Sequence, residues 1–254
     1  MCFAFDARPP IAPIAGAAVD SERITLTSAD GTEFMAFAAR GDQPGGPAMV
    51  ILPDVRGLFH FYEELALRFA ERGIDAVTID YFGRTTELDS SRDEDFEFME
   101  HIKQTRMGTV SADVAAAVAH LREGGAERPV FTVGFCFGGA HSWMQARAGL
   151  GLAGVVGFYG RPVGFNMGQE PESPVDHAAE FSCPVLGLMG GADQGIPPES
   201  VRAFDEALEA AGVEHEIVTS EGAPHSFFDR HQPTYQADSD DAWSRIMALI
   251  ERNS

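Results

Sequence analysis

Cysteine is scarce in this chain: three residues in 254, at positions 2, 136 and 183. They are too few and too scattered for a disulfide framework or a paired-cysteine zinc site, which fits a reducing compartment. Basic residues are also few, 18 Lys and Arg against 39 Asp and Glu, for a formal charge of −21. Such a field repels polyphosphate and anionic lipid, so neither nucleic acid nor a membrane surface is an expected partner. No stretch reaches the ~20 consecutive apolar residues of a membrane helix. The opening twenty residues carry Asp6, Arg8 and prolines at 9, 10 and 13, and lack the basic leader and unbroken apolar run of a signal peptide. The expected location is the cytoplasm. Repeats and low-complexity tracts are absent as well.

What is present is the material of an ordinary globular core, 44% hydrophobic and 22% charged residues. The length permits one or two domains; the expectation is one α/β domain over residues 1–254, with 1–20 as an N-terminal extension. Two short runs, 23–27 and 33–38, flank Ser28-Ala29-Asp30-Gly31 and read as an antiparallel hairpin. From Ala48 onward apolar runs alternate with helical periodicity, the signature of a mostly parallel sheet with helices on both faces. The spacing predicts strands over 48–52, 75–79, 130–134, 154–159, 185–189 and 215–219. Helices are expected over 63–72 up to Gly73, and over 111–123 up to Gly124-Gly125 with Val114, Val118 and Leu121 on one face. Pro198 opens another helix that stops before Gly212, and Trp243, Ile246, Met247 and Ile250 mark the last. Two irregular segments remain, 82–107 and 160–181. Neither is long enough for a second domain or a large cap, and such loops commonly border an α/β active site.

The strongest local signal is Gly134-Phe135-Cys136-Phe137-Gly138-Gly139, between an apolar strand and a helix-like stretch through Arg147. It reads as a nucleophile elbow built with sulfur, whose flanking glycines keep neighbouring backbone from clashing at a strained turn. A cysteine there stands at a helix N-terminus, where unpaired N–H groups and the dipole favour a thiolate. Cys2 and Cys183 lack that setting and read as structural. A cysteine nucleophile needs a base, and the base an orienting acid. Asp193 follows the strand 185–189 through Gly190-Gly191-Ala192, and His225 follows the strand 215–219 through Gly222-Ala223-Pro224. Nucleophile, acid, histidine is the α/β-hydrolase order, and all three fall at the carboxyl ends of parallel strands. His141, the rival base, sits on the helix after the elbow and is expected to point into packing. Oxyanion-hole donors are expected from the backbone N–H of Phe137 and of Val55, in the loop after the strand 48–52.

Together the elbow, Met189-Gly190-Gly191-Ala192-Asp193 and His225-Ser226-Phe227 resemble the dienelactone hydrolase family over most of the chain. The resemblance implies an α/β-hydrolase fold without a large cap, attack by Cys136, acid and base work by His225, and Asp193 holding the imidazole. It implies no metal or organic cofactor. A family glutamate that contacts the resting thiol corresponds to Asp54 here. The shorter side chain is drawn back by ~1.5 Å, so direct proton transfer is expected to weaken or to run through a water. The family also clamps a substrate carboxylate with arginines. Arg84 fits the first position; the second lands on Asp229, with Arg230 one residue further, and Arg56 and Ser226 are further candidates for substrate contact. The expected activity is hydrolysis of a small ester or lactone, with or without a carboxylate, through a thioester on Cys136. A broad carboxylesterase and a ligand-binding protein that has lost turnover are the alternatives.

Overall fold

A computed structural model describes the chain except for residues 1–3, 5, 18, 44, 89–91, 93–94 and 124–126. Strands β1 (Asp20–Thr27) and β2 (Glu33–Arg40) form the expected hairpin, paired antiparallel from Asp20 with Arg40 to Thr27 with Glu33. Six more strands follow: β3 (Ala48–Leu52), β4 (Asp75–Ile79), β5 (Val130–Phe135), β6 (Gly154–Phe158), β7 (Val185–Gly190) and β8 (His215–Ser220). All eight join one sheet in the order β1-β2-β4-β3-β5-β6-β7-β8, parallel from β4 to β8. Strands β3 to β7 are buried at every residue, as parallel strands covered on both faces must be.

Among the described residues six α-helices connect and cover them: α1 (His60–Ala70), α2 (Phe98–Ile102), α3 (Met107–Leu121), α4 (Phe137–Met144), α5 (Pro198–Ala211) and α6 (Gln236–Arg252). Strand β5 shows how the layers sort, because alternate side chains leave opposite faces. Phe135 meets Phe61 of α1 with ring centroids 6.4 Å apart, whereas Thr132 Oγ1 lies 2.7 Å from Ser142 Oγ of α4. The α1 layer continues into α6 through Phe69 and Trp243, 4.7 Å between centroids. On the other face Trp143 of α4 packs on Phe204 of α5 and donates its indole N–H to the Leu186 carbonyl. Among the described residues no helix is long and apolar enough to cross a membrane.

Several boundaries differ from the sequence reading. Helix α3 begins at Met107 rather than Ser111, because the Arg106 N–H donates to Thr109 Oγ1 (3.3 Å) and Met107 and Val110 carry the apolar stripe back one turn. It ends at Leu121, two residues before the expected end at Glu123, and Gly124-Gly125 lie outside the described residues. Helix α1 starts at His60, three residues early, since Phe61 and Tyr62 are buried on the same face as Leu65 and Phe69. Segment 82–107 is not wholly irregular: it opens in a 3₁₀ turn (Tyr81–Arg84) and contains α2. Segment 160–181 ends in a 3₁₀ turn, Pro174–Glu180.

Candidate active site

Cys136 stands between β5 and α4 at φ 54° and ψ −109°, a left-handed backbone that costs an L residue about 1–3 kcal/mol and persists only where its surroundings fix it. The Cys136 N–H donates to the Phe158 carbonyl on β6 (3.0 Å). Glycine is obligatory beside it: a Cβ on Gly134 would collide with the Gly138 carbonyl, and one on Gly138 with the carbonyls of Leu52 and Pro53. The turn is therefore tight enough to bring α4 onto the ends of both β5 and β3.

The acid and the imidazole arrive from the next two strand ends. Past β7 the chain turns at Gly190, whose carbonyl accepts from the Asp193 N–H (3.2 Å). Past β8 it turns through Ala223, and the Ala192 N–H donates to the Ala223 carbonyl (2.9 Å), tying the two loops together. His225 Nδ1 then lies 2.5 Å from Asp193 Oδ2, while Asp193 Oδ1 accepts from the Gly195 N–H (2.8 Å). Asp193 is buried and His225 half-buried, with the Tyr159 ring against the imidazole at 4.8 Å. Both carboxylate oxygens are thus used, and the Nδ1 hydrogen bond turns the other ring nitrogen away from the acid.

Cys136, Asp193, His225, Val55 and Phe137 all line one cavity of about 550 Å³. The backbone N–H groups of Val55 and Phe137 find no acceptor among the described residues. Phe98, Met99, Tyr159, Phe165, Met167 and Ile196 supply most of the remaining wall, and Arg161 and Arg230, both exposed, also line it. Sequence reasoning marked the two bordering segments but missed these residues individually. Tyr159 alone had a signal, its place at the carboxyl end of β6. Among the described residues, no group of three or more His, Cys, Asp or Glu is placed to hold a metal ion.

Arg84, Arg56, Ser226 and Asp54 are placed differently from expectation. Arg84 does not line the cavity. Its guanidinium turns to buried Asp113 on α3 (Nη2 to Oδ1, 2.7 Å), to Thr32 Oγ1 (2.9 Å) and to Asp30 in the β1–β2 hairpin. Burial raises the Asp113 carboxyl, and Arg84 and Ser28 oppose that rise, so this arginine answers a buried acid. Arg56 is 2% exposed and also lies outside the lining. It grips Asp54 through Nε (3.0 and 3.1 Å) and Nη2 (2.7 Å), gives Nη1 to the Ala4 carbonyl (2.9 Å), and pairs with Asp229. Rings of Phe59 and Tyr62 flank it at 4.8 and 5.6 Å. Both Asp54 oxygens are therefore engaged by a cation, which disfavours the proton-acceptor role considered for it. Ser226 is buried outside the lining, at φ 61°, with its carbonyl accepting from the N–H groups of Asp229 (3.1 Å) and His231 (3.2 Å). Of the four substrate-contact candidates only Arg230 reaches the cavity. His141 is 2% exposed, with Nδ1 3.1 Å from Met107 Sδ, and burial pushes its imidazole down to about 3.

Residues 34–254 match the Dienelactone hydrolase family. A Yersinia pestis protein named "Putative carboxymethylenebutenolidase" is 30% identical over 228 residues, covering 88% of this chain and 85% of that one. The carboxymethylenebutenolidase of Rhodococcus opacus is 29% identical over 221 residues, 84% of each chain. Among solved structures, a "Putative Dienelactone Hydrolase" from Klebsiella pneumoniae superposes with a TM-score of 0.82 at 27% identity, covering 92% of this chain and 99% of that one.

Proposed function

Because this chain belongs to the dienelactone hydrolase family and is a carboxylic ester hydrolase of that kind, we propose that it cleaves an ester or lactone through a Cys136–His225–Asp193 triad and a thioester intermediate. The observation that carries the reading is the meeting of a cysteine held at φ 54° on a strand-helix elbow with an Asp193-bound imidazole in one cavity.

His225, oriented through Nδ1, takes the Cys136 proton, and the sulfur attacks the carbonyl carbon. The negative oxygen that forms is met by the backbone N–H groups of Val55 and Phe137, each worth about 2.7–4 kcal/mol in such sites. Collapse of that species expels the alcohol oxygen, which takes the proton from His225 and leaves an acyl group on sulfur. In a lactone the expelled alcohol remains tethered to the acyl group. Water, deprotonated by His225, then attacks the thioester; the acid departs and the thiolate recovers its proton. Asp193 keeps the ring aligned and offsets its positive charge through both halves of the cycle. Cys136 is the residue at the N-terminal cap of α4, and a helix dipole favours negative charge at that end.

Intact-mass measurement on protein quenched during turnover of an activated aryl ester tests this. One acyl group should appear on the wild-type chain and none on Cys136→Ala. An acyl adduct that survives the substitution, or a wild-type chain that turns over without ever carrying one, refutes the thioester route.

A further inference from the structure

Two observations bear on which ester fits, given the reading of Cys136 above. The first concerns charge. Inside the molecule, Arg84 is committed to Asp113 and Asp30, and Arg56 to Asp54 and Asp229. The arginines that line the cavity, Arg161 and Arg230, are exposed, so water screens them, and Arg161 Nη2 is already hydrogen-bonded to the Gly195 carbonyl (2.7 Å). Among the described residues no buried Lys or Arg lines the cavity, so a substrate carboxylate seated away from its exposed arginines would be desolvated without a buried cation to compensate.

The second observation concerns the wall. Phe98 and Met99 of α2 line the cavity together with Phe165 and Met167 of the loop after β6 and with Phe137 and Ile196, and the Phe137 and Phe165 rings lie 6.0 Å apart. Met99 is 44% exposed, one of only two large hydrophobic side chains so exposed among the described residues. An apolar side chain at the mouth of an apolar cavity gains by being covered. Two methionines in the wall, unbranched and polarizable, adapt to ligands of varied shape. A cavity of about 550 Å³ also lies within the range, roughly 300–1,000 Å³, that holds drug-sized ligands rather than fragments.

We propose that the preferred substrate is an uncharged ester or lactone carrying a bulky apolar group, aryl or medium-chain alkyl, seated against the wall that Phe98, Met99, Phe165 and Met167 supply. The wall confers the selectivity, and Met99 and Met167 are specificity-determining residues. A small lactone bearing a carboxylate is the poorer substrate.

The test compares kcat/KM along 4-nitrophenyl esters from acetate to octanoate, with the leaving group held constant, and against 4-nitrophenyl hemi-esters of dicarboxylic acids of matched length. Each methylene seated in the wall is worth ~0.8 kcal/mol, so kcat/KM should rise about threefold to fourfold per methylene as far as hexanoate. The matched hemi-ester should fall at least about tenfold below its neutral partner. Met99→Ala and Met167→Ala should each flatten the chain-length slope, and Met99, being 44% exposed, is expected to be replaceable without loss of fold. A flat or falling slope in the wild type, or a hemi-ester preferred over the neutral ester, overturns the proposal. Binding of uncharged hexanoyl and dicarboxylate amide analogues to Cys136→Ala, followed by calorimetry, separates the two readings. Tighter binding of the hexanoyl amide upholds the substrate class even if turnover does not depend on the sulfur, and tighter binding of the dicarboxylate amide defeats it.

Discussion

Replacing Asp229 by asparagine isolates the energetics of the buried cluster under the site. Asp229 is 3% exposed, with one oxygen on Arg56 and the other, Oδ1, without a hydrogen-bond partner among the described residues. Burial raises its carboxyl from an ordinary 3.8 to about 7; the Arg56 charge opposes the rise and the Asp54 charge adds to it. In the unfolded chain the group ionises at its ordinary value. Below 3.8 both states hold the proton, and the stabilising contribution is fully present. Between 3.8 and about 7 the unfolded chain releases the proton while the folded one retains it, so stability is lost as pH rises through that window. At about 1.4 kcal/mol per pH unit the loss is on the order of 4 kcal/mol. Asparagine has no proton to release and lacks this slope; the Arg56 attraction it forfeits is already contained in the folded value of about 7. The wild-type profile alone is not diagnostic. His141, held near 3 by burial, gives the opposite slope: its contribution is present above 6.5 and is lost as pH falls towards 3. Subtracting wild type from Asp229→Asn cancels His141. Urea unfolding followed by fluorescence of the buried Trp143 and Trp243 across pH 4 to 8 reads the difference. The stability of Asp229→Asn relative to wild type should climb with pH by a few kcal/mol; two parallel profiles would refute the reasoning.

Asp193→Asn should leave the fold intact and lower kcat by about 10⁴, because the amide cannot hold the same imidazole tautomer or offset its charge; a loss below tenfold in steady-state assays would remove Asp193 from the triad. Arg84→Ala should destabilise the protein by on the order of 3 kcal/mol by stranding Asp113, yet leave the ratio of kcat/KM for anionic and neutral esters where it was. A selective loss on anionic esters would show that Arg84 reaches substrate.

The parallel core was legible because fully buried strands are short apolar runs bounded by turn residues; β3 and β4 run over 48–52 and 75–79 as their hydrophobicity dictates. Helix starts were less so. Met107 and Val110 belong to the α3 stripe, but the cap is made by a hydroxyl on Thr109, already inside the helix. Within the site, residues fixed by backbone motifs converge on one cavity: Cys136 at the elbow, Asp193 and His225 at strand ends, Val55 and Phe137 beside them. The arginines were not legible in the same way. Arg84 and Arg56 choose partners on α3, in the β1–β2 hairpin and beyond β8, and no local spacing encodes those choices. Family spacing carried an expected anion clamp onto Asp229, where the chain has the opposite charge. The apolar wall comes from segments 82–107 and 160–181, recognisable as borders, although which side chains face inward depends on tertiary packing.

The collar around the elbow has a consequence for how such chains change through descent. What holds the bend together is backbone pressing on backbone: the peptide groups of β3 and α4 against Gly134 and Gly138, and the β6 carbonyl against the amide of residue 136. None of those contacts touches the sulfur. An inherited exchange of sulfur for oxygen alters one atom and leaves the scaffold whole, whereas any methyl acquired by either glycine strikes peptide atoms that have nowhere to go. Selection on the scaffold and selection on the reagent it displays therefore act on separate codons.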